Sequence, residues 1–414
     1  MDKLILLSEA FASRRLPEFR RSVYDDIRWD SQLYTAILGP RGVGKTTLLL
    51  QRLRELNLPP REALFVDLGD IYFTENRLLD TAMQFVDRGG RYLFIDEVHR
   101  YGLQSWATEI KTIYDALGDR LRVVFTGSSQ ARILLRQVDL SRRVLFHAVQ
   151  GFSYREFLRV SRGVDLSVIE WDELTGDHAG YLHRNRQQLS SLHYGFFEDY
   201  LRYGYYPLHL DDPGAFRVQL NRMVQTVLDM DIPYFLDTPN LKALQLSKLL
   251  QAIATSVPFK PNFSKLGQRI GLRRQDIEEY LIALEKAKLI QLIAADSKGI
   301  ASLAKPEKVY LDNSNLLFAL SPTTPEIGTV RETFFMNQVA TIMQRPELVP
   351  PHLAVPKRGD FVVEYQDRRQ IFEVGGPNKE SKQIDSTSDS YTVVDALRVS
   401  GHQRIPLWLF GMLY

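Results

Sequence analysis

Apolar residues in the first third of the chain gather in short unbroken runs, each closing on a small or acidic residue. YTAIL (34–38), YLFI (92–95) and LRVVF (121–125) lack the period-two alternation of half-exposed strands and read as strands buried on both faces. After YTAIL the apolar positions shift to helical spacing, at Leu48, Leu49 and Leu53. Strand runs alternating with helical stretches predict an α/β core on a parallel sheet. From 163 to about 236 the chain turns aromatic and charged, with helical spacing in FFEDYLRYGYYP and a turn marked by Gly204 and Pro207, which predicts a helical subdomain. Pro258 and Pro261 punctuate the next unit. Leu266 and Ile270 lie four apart, Gly271 breaks the helix, and Ile277, Leu281 and Leu284 resume it before a β-prone tail. That order predicts a helix-turn-helix with a wing. About ninety residues remain, with one helix (VRETFFMNQVATIM) and the β-prone segments GDFVVEY, RQIFEVGG, YTVVDAL and RIPLWLFGML, a second α/β unit. The expected units are residues 1–162, 163–236, 237–323 and 324–414, with no internal repeat or low-complexity segment.

The junction between YTAIL and its helix reads GPRGVGKTT. Gly39-x-x-x-x-Gly44-Lys45-Thr46 between a strand and a helix is the context of a phosphate-binding loop. Its glycines let consecutive N–H groups turn inward toward phosphate oxygens, and the helix adds the positive end of its dipole. Gly39, Pro40, Arg41, Gly42, Val43, Gly44, Lys45, Thr46 and Thr47 are therefore the expected nucleotide-binding residues, Lys45 reaching the β- and γ-phosphates and Thr46 serving as a Mg²⁺ ligand. YLFI ends on Asp96-Glu97, where an open α/β sheet binds its ligands. Asp96 is expected to hold Mg²⁺ through water and Glu97 to polarise the attacking water. LRVVF ends in the polar cluster Thr126, Gly127, Ser128 and Ser129. Ser128 either orients the attacking water or caps the following helix (SQARILLRQ). His99 either reads the nucleotide or begins a polar helix.

With these residues in place the chain resembles the prokaryotic AAA-type ATPases that join a P-loop core to a winged helix and a C-terminal restriction-endonuclease-like domain. ILGPRGVGKTT, YLFIDEVHR with Trp106 after it, VVFTGSSQARI, SRRVLFHAVQGFSYREFL, YLRYGYYP and KPEKVYLDN carry the resemblance over most of the chain. It implies a P-loop NTPase (AAA-like) parallel sheet core, a helical cap over the nucleotide, a winged helix and a restriction-endonuclease-like α/β domain. It also implies adenine as the base, since no Asn/Thr-Lys-x-Asp guanine reader is present. An arginine before FSYREFL is common in that group, often as Gly-Arg. Here Arg142-Arg143 stands in its place, and Arg143 is the expected γ-phosphate contact, from its own chain or a neighbour's. A charged surface shared with Arg132 and Arg136 is the alternative.

In a nuclease version of the last unit a metal is held by an Asp ending one strand and a Glu-x-Lys on the next. Asp360 and Glu373 match the two acids and Glu332 matches an acid on the first helix, whereas Gly375 stands where the lysine belongs. That cation activates water and steadies the charged transition state. Lys379 and Lys382 are the cations available to reach back, and the unit is expected to be catalytically silent, holding DNA rather than cutting it.

Composition narrows the rest. The chain has no cysteine, which excludes disulfides, thiolate zinc sites and cysteine nucleophiles. The histidines show no metal spacing, and no apolar stretch is long enough to span a membrane, so a cytoplasmic place is expected. With 52 basic and 50 acidic side chains the net charge of +2 argues neither for nor against nucleic acid. Between Lys265 and Lys288 six basic residues face four acidic ones, so Arg273, Arg274 and Gln275 are either a DNA-reading helix start or part of a packing module. The expected function is Mg²⁺-dependent ATP binding and hydrolysis coupled to DNA by the C-terminal modules, with homo-oligomers possible. The alternatives are an ATP-gated switch for a protein partner and an ATP-regulated nuclease.

Overall fold

The structure is a computed structural model describing residues 1–101, 105–131, 138–140, 142–235, 243–258, 260, 262–296, 306–342, 352–379, 389–397, 399 and 401–414. The chain forms two compact units, Met1–Gln150 with Met230–Asp237, and Gly151–Asp229 with Thr238–Tyr414.

Strands β1 (Tyr34–Leu38), β2 (Ala63–Asp67), β3 (Tyr92–Asp96), β4 (Arg122–Gly127) and β5 (Val144–Ala148) make the first unit's sheet. Their order is β2-β3-β4-β1-β5 and every pairing is parallel. A parallel pair needs a crossover, and the helices Lys45–Leu56, Leu78–Asp87 and Ser105–Leu117 supply it. Covering the sheet leaves its strands no wet face, which is why their sequences are continuous apolar runs. β1 is buried at every position, and Trp106 packs edge-on to Phe125 in the same core.

All five carboxyl ends share one edge, and β4 lies between the glycine-loop strand and the acidic strand. Leu38 pairs with Gly127 on one side of β4, and Ile95 pairs with Phe125 on the other. Residues from three separate sequence stretches therefore meet at one edge.

The second unit begins with helices, among them Tyr154–Arg162 and Phe216–Thr226. Three further helices, Ala243–Ala254, Phe263–Ile270 and Arg274–Lys286, precede an antiparallel pair, β6 (Ile290–Ala294) and β7 (Pro306–Leu311). Last comes a mixed sheet of β8 (His352–Ala354), β9 (Phe361–Tyr365), β10 (Arg368–Gly375), β11 (Ser390–Val394) and β12 (Arg404–Pro406), ordered as in sequence. Strands β8 to β10 pair antiparallel and β10 to β12 parallel. The helix Ile327–Ile342 packs on β10; twelve of its sixteen residues are buried, so it lies in the core and not on a surface. Among the described residues no helix is long and apolar enough to cross a membrane.

Candidate nucleotide site

The loop after β1 is shaped by its glycines. Gly42 and Gly44 take φ of 82° and 92°, a region closed to most side chains, and Gly44 ends the loop directly ahead of the helix Lys45–Leu56. At Gly39 a Cβ would lie 2.0 Å from the Val149 carbonyl oxygen, so only glycine lets the loop pack against the chain leaving β5. Arg21, buried ahead of β1, donates to the carbonyls of Val43 (2.8 Å) and Gln150 (3.0 Å) and ties the loop down from behind. Nothing in the local pattern around Arg21 announces this, because both acceptors are backbone.

Lys45 is buried, and its ammonium donates to the carbonyls of Gly39 (3.0 Å) and Pro40 (2.7 Å). Burial pushes it below its ordinary value, against the opposing pull of Glu97 and Asp96. A buried cation hydrogen-bonded to its own loop's neutral carbonyls suits a phosphate, which would offer charged acceptors in their place.

Thr46, Asp96 and Thr126 form one string. The Thr46 hydroxyl donates to Asp96 Oδ2 at 2.7 Å, and the Thr126 hydroxyl donates to Asp96 Oδ1. Thr126 Oγ1 also accepts from the Glu97 N–H at 3.0 Å, so a residue on the interposed β4 fixes both the acid that ends β3 and the one that follows it. Burial, then the neighbouring Glu97, raises Asp96 to about 6, with the two threonine hydrogen bonds working the other way. A hydroxyl and a carboxylate in contact beside a buried ammonium are hard oxygen donors suited to Mg²⁺.

Glu97 sits at φ 54°, strained for a side-chain-bearing residue. Burial alone would raise its carboxyl, but His99, Lys45 and Arg41 outweigh it and hold Glu97 at about 2. His99 Nε2 is 3.3 Å and Arg41 Nη2 3.4 Å from Glu97 Oε2. Arg41 also pairs with Asp231, Nε to Oδ2 at 3.1 Å and Nη2 to Oδ1 at 3.2 Å. Arg41, His99 and Asp231 line a cleft of ≈ 560 Å³ with Phe73, Tyr101 and Met230. Asp231 has no signal in the sequence, since 190 residues separate it from Arg41.

Other expected residues lie differently. The hydroxyl oxygens of Ser128 and Ser129 are buried, with no hydrogen-bond partner among the described residues, and most of the helix expected after them, with Arg132 and Arg136, lies outside those residues. Arg143 precedes β5 at the amino end of the sheet and pairs with Asp115 at 2.7 Å. A five-residue strand, about 16 Å of rise, separates it from the loop edge, so a γ-phosphate of its own chain is beyond its reach.

In the second unit Arg273 pairs with Asp276 (2.8 Å) and Arg274 with Glu278 (3.1 Å), while Gln275 is exposed beside them. Glu332 accepts from Tyr310 (2.6 Å) and faces Lys308 (3.5 Å), and Glu373 pairs with Lys379 (2.9 Å). Asp360 accepts from the Val374 N–H at 2.8 Å; burial, then Glu332, pushes its carboxyl up. Among the described residues no three acidic or histidine side chains converge on a metal position; Lys382 lies outside those residues.

Residues 31–158 match the family described as AAA domain, and residues 195–326 match a family described as a domain of unknown function (DUF8612). No curated protein matches the chain. Among solved structures it is similar to the Thermotoga maritima RuvB Holliday junction branch migration motor, at 18% identity over 70% of this chain and 87% of that one, TM-score 0.26. The Hsp104–ADP complex of S. cerevisiae is 16% identical over 69% of this chain and 39% of that one, TM-score 0.28. AMPPCP-bound DnaA from Aquifex aeolicus is 12% identical over 64% and 85%, TM-score 0.26. With its glycine loop, acidic strand and parallel sheet, the segment 31–158 is an AAA-type P-loop ATPase domain.

Proposed function

We propose that the chain is a Mg²⁺-dependent ATPase whose nucleotide state is coupled to DNA held by the second unit. The observation that carries the ATPase half is the string Thr46–Asp96–Thr126 beside the buried ammonium of Lys45. Thr46 and Asp96 would hold magnesium, which supplies charge neutralisation at the β- and γ-phosphates. Lys45 exchanges its two loop carbonyls for phosphate oxygens. Thr126 holds Asp96 and the Glu97 backbone in register, and Glu97 takes the proton of the attacking water once its cationic neighbours release it.

The DNA half is supported by the helices Ala243–Ala254, Phe263–Ile270 and Arg274–Lys286 followed by β6 and β7, the element order of a winged helix. Arg273, Arg274 and Gln275 are exposed at the start of its third helix, where a groove-reading helix makes its contacts. The last sheet is read as a restriction-endonuclease-like unit that holds DNA rather than cutting it, because Gly375 stands where the motif's lysine belongs; Lys379 does reach Glu373 at 2.9 Å. A second reading, a switch for a protein partner, is favoured by the carboxylates that already occupy both arginines.

The test is ATP turnover measured alone and with duplex, single-stranded and branched DNA. Wild-type protein is expected to hydrolyse ATP faster with one of these, and Lys45→Ala to lose turnover by about a hundredfold or more with weakened nucleotide binding. Turnover indifferent to every DNA would favour the protein-partner switch. Nucleotide affinity untouched by Lys45→Ala would remove the ATPase reading.

A further inference from the structure

Two carboxylates share the guanidinium of Arg41, and they do not share it equally. Asp231 takes two contacts, 3.1 and 3.2 Å, while Glu97 takes one at 3.4 Å. Asp231 comes from Met230–Asp237, the stretch in which the chain returns to the first unit after leaving it at Gln150. Its side chain is 8% exposed and that of Arg41 27%. An acid held this far from water is costly unless paired, so the pair is built in, not incidental.

A staple alone would explain Asp231 bonding to Arg41. It does not explain why the same guanidinium also touches Glu97 and belongs to the phosphate loop itself. An arginine fork can grip one carboxylate with two parallel hydrogen bonds, and Glu97 is near enough to receive them. Asp231 limits this by taking Nε and Nη2, the nitrogen that also meets Glu97. His99, with Nε2 3.3 Å from Glu97 and 3.8 Å from Asp231, lies between the two acids.

We infer that Asp231 is a positioning residue for ATP hydrolysis: it limits Arg41 to one shared contact with Glu97, so that Glu97 can be released to act on water. Asp231 acts through Arg41, to which it bonds twice. The inference rests on the ATPase reading above and adds to it a residue outside the glycine-loop and acidic-strand motifs. It also gives the returning segment a hand in the rate, since moving Asp231 hands Arg41 to Glu97.

The experiment is a double-mutant cycle on the full chain, with ATP turnover and nucleotide affinity measured for each protein and thermal melting as a folding control. Asp231→Asn is expected to lower kcat about tenfold while shifting ATP affinity less than about threefold. Asp231→Glu should restore most of that loss. In an Arg41→Ala background Asp231→Asn should change kcat by less than about twofold, because nothing remains to be restrained. A structural staple would also be non-additive but would act through folding: Asp231→Asn and Arg41→Ala would lower the melting temperature alike, and kcat would fall only in step with melting. The inference is overturned if Asp231→Asn leaves kcat within about twofold of wild type, or if its effect persists undiminished without Arg41. Should Asp231→Asn fail to fold alone, Asp231→Glu and the double variant with Arg41→Ala are read in its place, kcat against melting. Wild-type protein without turnover would overturn the ATPase reading and this inference together; active wild type with an indifferent Asp231→Asn overturns this inference alone.

Discussion

At Asp96 two hydroxyls favour the charged carboxylate while burial and Glu97 disfavour it, and the second pair wins, placing it at about 6. Its unfolded value is near 3.8, so the folded protein binds the extra proton between the two. Ionising Asp96 therefore costs stability as pH rises from about 4 to about 6, and the full cost stands above that window. Two units at about 1.4 kcal/mol each make this about 3 kcal/mol at pH 7 in metal-free protein. Asp96→Asn keeps partners for both threonines and cannot ionise. In chelator it is expected to melt above wild type at pH 7 and level with it near pH 4; equal melting at both would show that the carboxylate is not strained. This conflict of burial against charge fits an acid kept for a cation. Lys45, Thr46, Asp96 and Glu97 were legible in the sequence because each lies in or beside a local motif. Arg21 and Asp231 were not, since their partners are backbone carbonyls and an arginine far along the chain. Thr126 stood within a recognised polar cluster, but its role over Ser128 follows only from β4 lying between β1 and β3, an order no spacing reveals.

Secondary structure divides in the same way. The buried strands announce themselves, because apolar runs of five residues have few alternatives between helices. The stretch FFEDYLRYGYYP, expected to be helical up to a turn at Gly204 and Pro207, changes type ahead of that turn: an α-helix ends at Asp199, a π-helical turn covers Tyr200–Gly204, and a 3₁₀ turn spans Pro207–Leu210. Helical spacing cannot show this, because a π turn inserts about one residue without disturbing which side chains are apolar. What stabilises it lies over a hundred residues away. Asn315 Nδ2 donates to the carbonyls of Tyr200 and Leu201, both at 3.0 Å, and Asn315 Oδ1 accepts from the Tyr205 N–H at 2.9 Å. These backbone groups are buried and would otherwise be unsatisfied. Asn315→Ala is expected to lower the stability of the second unit by about 3 kcal/mol or more, read as a lower urea midpoint with nucleotide affinity retained. An unchanged midpoint would mean that packing alone holds the π turn. The stretches YLRYGYYP and KPEKVYLDN are also joined directly, since Asn313, the last residue of the second, donates to the Tyr206 hydroxyl of the first at 3.1 Å.

On the scale of the whole molecule, the near balance of charge (+2) leaves local pairing to decide whether the second unit meets DNA. Arg273 and Arg274 are exposed and already paired within their own helix, so a phosphate has to displace a carboxylate at each. Exposed pairs of this kind contribute roughly 0–1 kcal/mol and weaken with salt, so the exchange is feasible. It also has a signature. Each arginine that neutralises a phosphate releases about 0.9 of a counterion from a duplex, and two of them contribute a slope of about 1.8 in log affinity against log salt. Arg273→Glu with Arg274→Glu is expected to weaken duplex binding, to remove about that much of the slope, and to abolish any stimulation of ATP turnover by DNA. The two readouts separate the parts of the proposal. A lost slope with stimulation intact would place the coupling elsewhere in the second unit, whereas an unchanged slope and affinity would make the helix start a packing surface and favour a protein partner.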